Sequence, residues 1–429
     1  MTISFIGVII GLAVAVTLTI KKVSPVAALF TGTVVGAIVG GASILQTLNL
    51  LIAGTQSVMG VIIRIVAGGV LAGVLVESGA AETIARTIVD KLGEKRAVLA
   101  IALACMINTG VGVFITVSIV MLSPIALSVG QKANISKAAV LLALSGGGKA
   151  GNILSPNANA VAAAYEFGVP LSQVMIGGFI PGLFALVATA IIAGRMKKRG
   201  KMVLQSDVSD TNVDESSLPP LLKAISAPVI AIILLMLSPL GDILGIELLQ
   251  AFQIDAFFAL PIAAAAGMII MGKWKNMIDY TNKGIFGMMP IVLLLIGAGA
   301  IGALVTGSEV PGMLISSMDT LGIPGQLLAP LSGAMMSSAV GSTVTGVILA
   351  SSAFSDTIIG FGVSAVAGAV MVQAGAMWID VMPHGNIFLG SKESIKMEMS
   401  DRLKLVPIEA AIGFVLVTTA TIMHGFILN

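Results

Sequence analysis

The chain holds one cysteine, Cys105, and two histidines, His384 and His424. A lone cysteine excludes an internal disulfide, a cysteine-rich zinc site and a CxxC redox pair. With so few imidazoles, a protein-ligated transition metal has no ligand set to draw on. Charge is equally scarce: Asp, Glu, Lys and Arg make up 10% of 429 residues against 57% hydrophobic ones, and mean hydropathy is +1.06. That is too little charge to solvate a globular surface, so the chain reads as an all-α polytopic membrane protein. No HExxH helix, Ser/His pair or paired-Asp motif marks an enzyme. Thr2 to Ile20 lacks a basic leader and a small-residue cleavage site, and is expected to be a retained membrane helix.

Apolar runs near the ~20 residues that cross a bilayer fall at about 3–20, 24–41, 50–76, 97–128, 138–164, 171–194, 221–240, 254–272, 284–305, 326–354, 358–390 and 404–427. Two of them, 97–128 and 326–354, are interrupted midway by polar, small-residue tips, Asn108 to Gly112 and Ser337 to Ser342. Each is expected to be a re-entrant hairpin that enters and leaves on one side. The positive-inside rule tests this. With the amino terminus outside and both hairpins returning to their own side, 21 of the 23 basic residues fall in cytoplasmic loops and none in an external one. The external loops then carry only acids: Glu166, Asp242, Glu247, Asp255, Glu309 and Asp319. A multi-pass protein of the inner (cytoplasmic) membrane is expected, with both termini external.

The stretch from Ser145 to Ala164, SGGGKAGNILSPNANAVAAA, places a glycine cluster, a lysine, three asparagines and a proline inside apolar sequence. A break in the helix is expected there, with Lys149 in the break itself. Free backbone polar groups at membrane depth survive only where they line an enclosed cavity or a ligand. Gly146 to Gly148 lack the GK[ST] ending of a phosphate loop, so no nucleotide site is expected. No cofactor and no nucleic-acid partner are expected either.

An internal repeat underlies this layout. A shift of 229 lays Leu71 to Gly93 on Ala300 to Gly322 without a gap and brings the hairpin tip Val111-Gly112 onto Val340-Gly341. A shift of 227 brings Pro156-Asn157-Ala158-Asn159 onto Pro383-His384-Gly385-Asn386. Two inverted repeats are expected, residues 1–199 and 221–429, each with five transmembrane helices and one hairpin, joined by a cytoplasmic linker at 200–220. Their broken helices are 138–164 and 358–390. Paired broken helices near the midplane are how alternating-access carriers build their sites. The charge-rich run from Glu77 to Arg96 is expected to be an interfacial helix leading to the first hairpin.

Asn152 to Ala164, NILSPNANAVAAA, resembles the LVPP-x-PGP-x-AAA stretch of the gluconate permease family within the ion transporter superfamily, and Met382 to Phe388, MPHGNIF, resembles a stretch in related permeases. The resemblance implies a homodimeric, elevator-type symporter of a small organic carboxylate such as gluconate or glycerate. In such a carrier the hairpins and broken helices form a mobile body. Asn157 and Asn159 depart from the Pro/Gly-rich run of the sugar-acid permeases, which bears on the substrate and not on the fold.

Only Arg64 and Lys149 among the basic residues fall within apolar segments, where a charge costs at least ~2.5–3.5 kcal/mol on insertion scales. Lys149 is either a counter-charge for a substrate carboxylate, a cation standing where a coupling sodium would sit, or a structural partner of Asp380 or Asp356. Arg64 is expected to be structural or to snorkel toward lipid headgroups. Because an unperturbed imidazole titrates near neutrality, His384 is a candidate proton carrier, or else a hydrogen-bonded structural residue. The candidate substrate contacts are Asn108, Thr109, Lys149, Asn152, Asn157, Asn159, Ser337, Ser338, His384 and Asn386. The candidate coupling groups are Lys149, Asp380, His384 and Asp356. Each asparagine alone is as well explained as a helix cap, and the same oxygens can hold sodium instead of contacting an anion. The expected activity is proton-coupled carboxylate symport. Sodium coupling and cation/proton exchange on Asp380 and Asp356 are the alternatives.

Overall fold

The computed structural model describes residues 2–21, 23–208, 218–310, 312, 313, 316, 320, 324–383 and 385–428. Helices dominate, and the described residues hold no strand beyond two isolated bridges, Ile3 with Ser308 and Ser136 with Met202. Seven helical stretches are long and apolar enough to cross a membrane by length and composition, and shorter apolar helices accompany them. This is a multi-pass membrane protein.

In the first half the helices are α1 (Phe5–Ile20), α2 (Pro25–Val39), α3 (Ile44–Ser57), α4 (Met59–Glu77), α5 (Ala80–Leu92), α6 (Ala97–Gly110), α7 (Ile115–Lys132), α8 (Lys137–Asn152), α9 (Ala158–Glu166) and α10 (Leu171–Arg195). The second half holds α11 (Ser226–Leu244), α12 (Ala256–Ile270), α13 (Met277–Thr306), α14 (Leu328–Val340), α15 (Thr343–Gly360), α16 (Ala365–Ala376), α17 (Asn386–Ser394) and α18 (Val406–Thr421). Side-chain caps start many of them. Ser43 forms a capping box with Gln46, and Ser4, Ser136, Asn157, Asp255, Ser342 and Ser364 each accept from a first-turn N–H. These caps satisfy donors that lipid cannot.

Both interrupted runs fold as helical pairs, α6–α7 and α14–α15. At the tips the chain turns through Gly112 (φ 110°) and Gly341 (φ 65°), left-handed backbone that a side chain would strain. These glycines are 229 residues apart, the offset of the sequence repeat. The offset recurs to within one residue elsewhere: α4 ends at Glu77 and α13 at Thr306, 229 apart, and α9 begins at Ala158 while α17 begins at Asn386, 228 apart.

The helices group into two bodies. In one, α1 packs on α2, and α13 lies against α2, α3 and α4, while α12 packs on both α4 and α11. In the other, α8 lies between α6 and α10, α14 packs on α15 and α16, and α18 packs on α10 and α16. The halves interleave in this second body, where α9 packs on α15 and α16, and α17 packs on α7. Contacts of α4 with α9 and of α13 with α15 join the bodies.

Two expectations are corrected. The run at 50–76 is two helices meeting at Val58, because Ile44–Ser57 carries Gln46, Thr47, Asn49, Thr55, Gln56 and Ser57 and is too polar to continue the apolar α4. Gly146 to Gly148 do not break α8, which stays helical to Asn152. The break lies at 153–157, so Lys149 sits on the helix one turn before it and not in the break. Proline at 156 removes an N–H and restricts the residue before it, and Asn157 starts the next helix. The glycines instead thin the helix. A side chain on Gly147 would meet the carbonyl of Ala102, one on Gly151 the carbonyl of Met106, and one on Gly146 would meet Thr189 of α10. This is the small-xxx-small spacing that lets membrane helices approach closely.

Arg402 is a buried charge that the charge pattern alone does not single out. It lies on a short helix, Met399–Leu403, fully buried in an ion pair with Glu409 and stacked 4.5 Å over the Phe388 ring. A guanidinium can be buried this way because its planar face takes an aromatic ring while its edge meets a carboxylate.

The described start of the linker is fastened down. Val203 N–H donates to Ile135 O at 3.1 Å, and Lys137 Nζ reaches Asp207 Oδ1 at 2.7 Å and Lys396 O at 2.9 Å. Burial alone would raise the Asp207 carboxyl. Its bonds to Lys137 and to the Leu204 N–H outweigh that and hold it below the ordinary carboxylate value. A depressed carboxylate stabilises the fold above its unfolded pKa, about 3.9, and loses that contribution as pH falls through the folded value. Asp207→Asn is therefore expected to lower the melting temperature at neutral pH. The difference from the parent should vanish once both are acidified below the folded pKa, as thermal scans across pH will reveal.

Candidate functional site

Four segments converge: the α6–α7 tip, the α8–α9 break, the α14–α15 tip and the break between α16 and α17. Lys149, Asp380 and Thr343 join three of them. Lys149 Nζ donates to Asp380 Oδ1 at 2.5 Å and to the Met377 carbonyl at 2.6 Å. Thr343 Oγ1 donates to Asp380 Oδ2 at 2.7 Å. The side chains of Lys149 and Asp380 have 0% exposure. Of the two acids expected as alternatives, Asp380 is thus the partner of Lys149. Asp356 is exposed on α15, one turn beyond Ser352, whose hydroxyl donates to Glu166 at 3.2 Å.

The asparagines divide by what their amides do. Asn157 caps α9, its Oδ1 accepting from Asn159 N at 2.9 Å and Ala160 N at 3.1 Å, while its Nδ2 donates to Asn152 Oδ1 at 2.5 Å and Asn152 O at 2.8 Å. The capping reading therefore describes Asn157. Asn157→Ala is expected to cost at least about 1 kcal/mol of stability through the lost cap, and Asn157→Asp to cost as much or more, since it keeps the capping oxygen but turns a buried carboxylate oxygen onto Asn152 O and Oδ1, as denaturant or thermal titration can measure. Asn108 is different: it is 0% exposed, and neither amide atom has a partner. Asn159 Oδ1 and Ser155 Oγ are likewise buried and unpartnered. A buried unpaired polar group costs about 1–3 kcal/mol, so several in adjoining segments mark a place built for another species.

Other candidates are committed elsewhere. Thr109 Oγ1 lies within 3.2 Å of the carbonyls of Cys105, Met106 and Gly148, so its single proton bolts α6 to itself or to α8. Ser337 and Ser338 donate to Ala334 O at 3.3 Å and Met335 O at 2.9 Å within α14. Asn386 is exposed at the first position of α17. His384 lies outside the described residues.

Sequence reasoning missed Gln373 and Thr343. Gln373 is fully buried in the middle of α16; its Nε2 donates to Asn152 O at 3.2 Å and its Oε1 is unpartnered. A lone amide in an apolar run, two helical turns before Asp380, was the available signal. Arg64, expected to be structural or to snorkel, has structural partners. It does not snorkel: its guanidinium is held by Asp255, by the Gly60 carbonyl at 2.8 Å and by the Tyr165 ring 5.3 Å away, so it faces a cavity between the two bodies.

A helical membrane fold with broken helices and hairpin tips meeting around a buried ion pair defines a membrane permease. The chain belongs to the GntP permease family: the model for "GntP family permease" matches residues 3–427. It is 44% identical over 424 residues, 99% of both chains, to a protein of Haemophilus influenzae described as an uncharacterized transporter. It is 23% identical to the high-affinity gluconate transporter of Escherichia coli K12, over 70% of this chain and 69% of that one. It is 25% identical to the D-serine transporter DsdX of the same strain, over 75% and 74%. Among solved structures, the YdaH transporter of Alcanivorax borkumensis, described as having an unusual topology, superposes with a TM-score of 0.62 over 88% of each chain at 15% identity. That likeness concerns the fold.

Proposed function

We propose that this permease is a proton-coupled symporter of a small carboxylate bearing an α-hydroxyl or α-amino group, and that Lys149 and Asp380 are where substrate and proton meet. The observation that carries this reading is the buried Lys149–Asp380 pair among unpartnered amides at the meeting point of four interrupted segments. Gluconate and D-serine, the solutes named for two relatives, share a carboxylate next to a carbon that carries a polar substituent.

The chemistry follows from charge balance. With both groups ionised, Asp380 neutralises Lys149 and a second carboxylate has no free cation. Once Asp380 takes a proton, the ammonium is released to an incoming carboxylate; with a hydroxy-acid anion the site again carries no net charge, and an amino acid, which brings its own ammonium, leaves it with one positive charge. Substrate and proton thus bind together. Asn108, Asn159 and Gln373 supply amides for the substrate's hydroxyl or amino groups. Transport would proceed by an elevator movement of the hairpin-bearing body against α1–α4 and α11–α13, in a homodimer with inverted repeats in the inner membrane and both termini external.

A second reading is sodium coupling, favoured by the unpartnered oxygens Asn159 Oδ1, Gln373 Oε1 and Ser155 Oγ, the hard donors that sodium accepts. Cation exchange loses support, since Asp356 is exposed while Asp380 is buried against Lys149. Thermal stabilisation of the purified protein tests the carboxylate site: D-gluconate, D-glycerate or D-serine at 100 times its dissociation constant should add about 2.7 kcal/mol. A full panel of such carboxylates without effect, at either pH extreme, removes the reading.

A further inference from the structure

A cavity of about 500 Å³ lies between the two bodies, lined by Arg64, Tyr165, Ser172, Gln173, Ser238 and Asp255 among others. Its size suits a small organic ligand. A smaller recess of about 10 Å³, room for about one water, adjoins it, with Arg64 and Val161 lining both spaces. The recess ends on Gly112 and Phe114 of the first hairpin tip and on Pro156 and Asn157 of the first break. Arg64 therefore stands where the wide cavity narrows toward the break.

The guanidinium is held along one edge and leaves the other open. Nε lies 3.1 and 3.0 Å from the two Asp255 oxygens, Nη2 lies 2.8 Å from Oδ2, and Nη1 donates to Gly60 O at 2.8 Å. Of its five N–H groups this leaves one on Nη1 and one on Nη2 without a partner. The Arg64 and Asp255 side chains are 29% and 40% exposed, so the pair is open to the cavity and to an arriving ion. Asp255 does not depend on the arginine for its place, because it also caps α12 through Phe257 N at 2.8 Å. The Tyr165 ring covers the guanidinium face, and Gly60 has no room for a side chain because that ring occupies the space. Tyr165 is on α9, whose cap Asn157 is at the break, so the wall of the cavity and the break are parts of one short helix.

We infer that this cavity is the entry vestibule for the carboxylate and that Arg64 is its capture residue, with Asp255 as a resident carboxylate that an incoming one displaces. Planar guanidinium N–H groups bind a carboxylate side-on, so an incoming carboxylate takes over the bonds that Asp255 gives up, while the displaced Asp255, 40% exposed, stays in the cavity as a solvated anion that keeps its bond from Phe257 N–H. Lys149 then serves the bound state and Arg64 the arriving one. The inference rests on the carboxylate reading above, and its test is independent of transport.

Ser238, half-buried in the cavity wall, is changed to Cys. The native Cys105 is fully buried, so the Ser238→Cys thiol reports on the cavity. Its reaction rates with an anionic and a cationic methanethiosulfonate reagent are compared in nanodiscs. Adding Arg64→Gln should lower the anionic-to-cationic rate ratio by at least about fivefold, and Asp255→Asn, which keeps a capping side chain, should raise it by a similar factor. Arg64→Lys keeps the charge and should keep the ratio. A ratio unmoved by Arg64→Gln, or moved the same way by Arg64→Gln and Asp255→Asn, overturns the vestibule. Opposite shifts in a protein that carries no carboxylate would retain the vestibule and remove the symport reading.

Discussion

Lys149→Met is expected to abolish carboxylate uptake and to destabilise the protein by about 3–5 kcal/mol, because it leaves the Asp380 carboxylate buried with only the Thr343 hydroxyl. Loss of uptake alone would be ambiguous, since an unstable carrier also fails to transport. The double variant Lys149→Met/Asp380→Asn separates the two. It removes both charges, keeps the shape of both side chains and lets Thr343 keep an acceptor. Its melting temperature should return most of the way to the parent's, while uptake stays at background. Restored uptake in the double variant would make the pair a packing device. Unrestored stability would mean that the pair does more for the fold than neutralise itself.

Gly151→Val is expected to have the second largest effect. The new side chain would press on the Met106 carbonyl and Thr109 Oγ1, forcing α6 away from α8. Overpacking of a tight interface costs about 1–3 kcal/mol even where side chains can yield, and here the obstacle includes backbone. The hairpin tip with Asn108 would shift with α6, so uptake should fall with stability. Gly194→Ala is the control: nothing lies within 4 Å of the added atom on α10, and that variant should match the parent in both thermal unfolding and uptake.

Much of this fold was legible because membrane sequence has few ways to satisfy its backbone. The tips at Gly112 and Gly341 were readable as small, polar interruptions, and both turn through left-handed backbone as a tight reversal requires. The 227–229 offset carried helix ends as well as residues. What misled was glycine. Gly146 to Gly148 read as a helix breaker, since glycine lowers helix propensity in water. In a packed membrane helix the absence of a side chain is worth more as room for a neighbour, and the break fell instead to Pro156 and Asn157.

The site was legible in its charges and not in its amides. Lys149 and Asp380 stood out because buried charge is rare. Thr109, Ser337 and Ser338 looked alike in sequence, but hydroxyls on helices bond back to carbonyls three or four residues earlier, and only coordinates tell a spent hydroxyl from an offered one. Arg64 was read from its own segment alone. Its partners Asp255 and Tyr165 come from α9 and the start of α12, and no spacing along the chain brings three such distant positions together.

The central claim, that Lys149 and Asp380 couple a proton to a carboxylate, is tested most directly by proteoliposome uptake of labelled D-gluconate and D-serine under an inward proton gradient without sodium, comparing the parent with Asp380→Asn. The account predicts accumulation above equilibrium by the parent and, at most, equilibration by Asp380→Asn. Accumulation that requires a sodium gradient, or that is unchanged in Asp380→Asn, would contradict it.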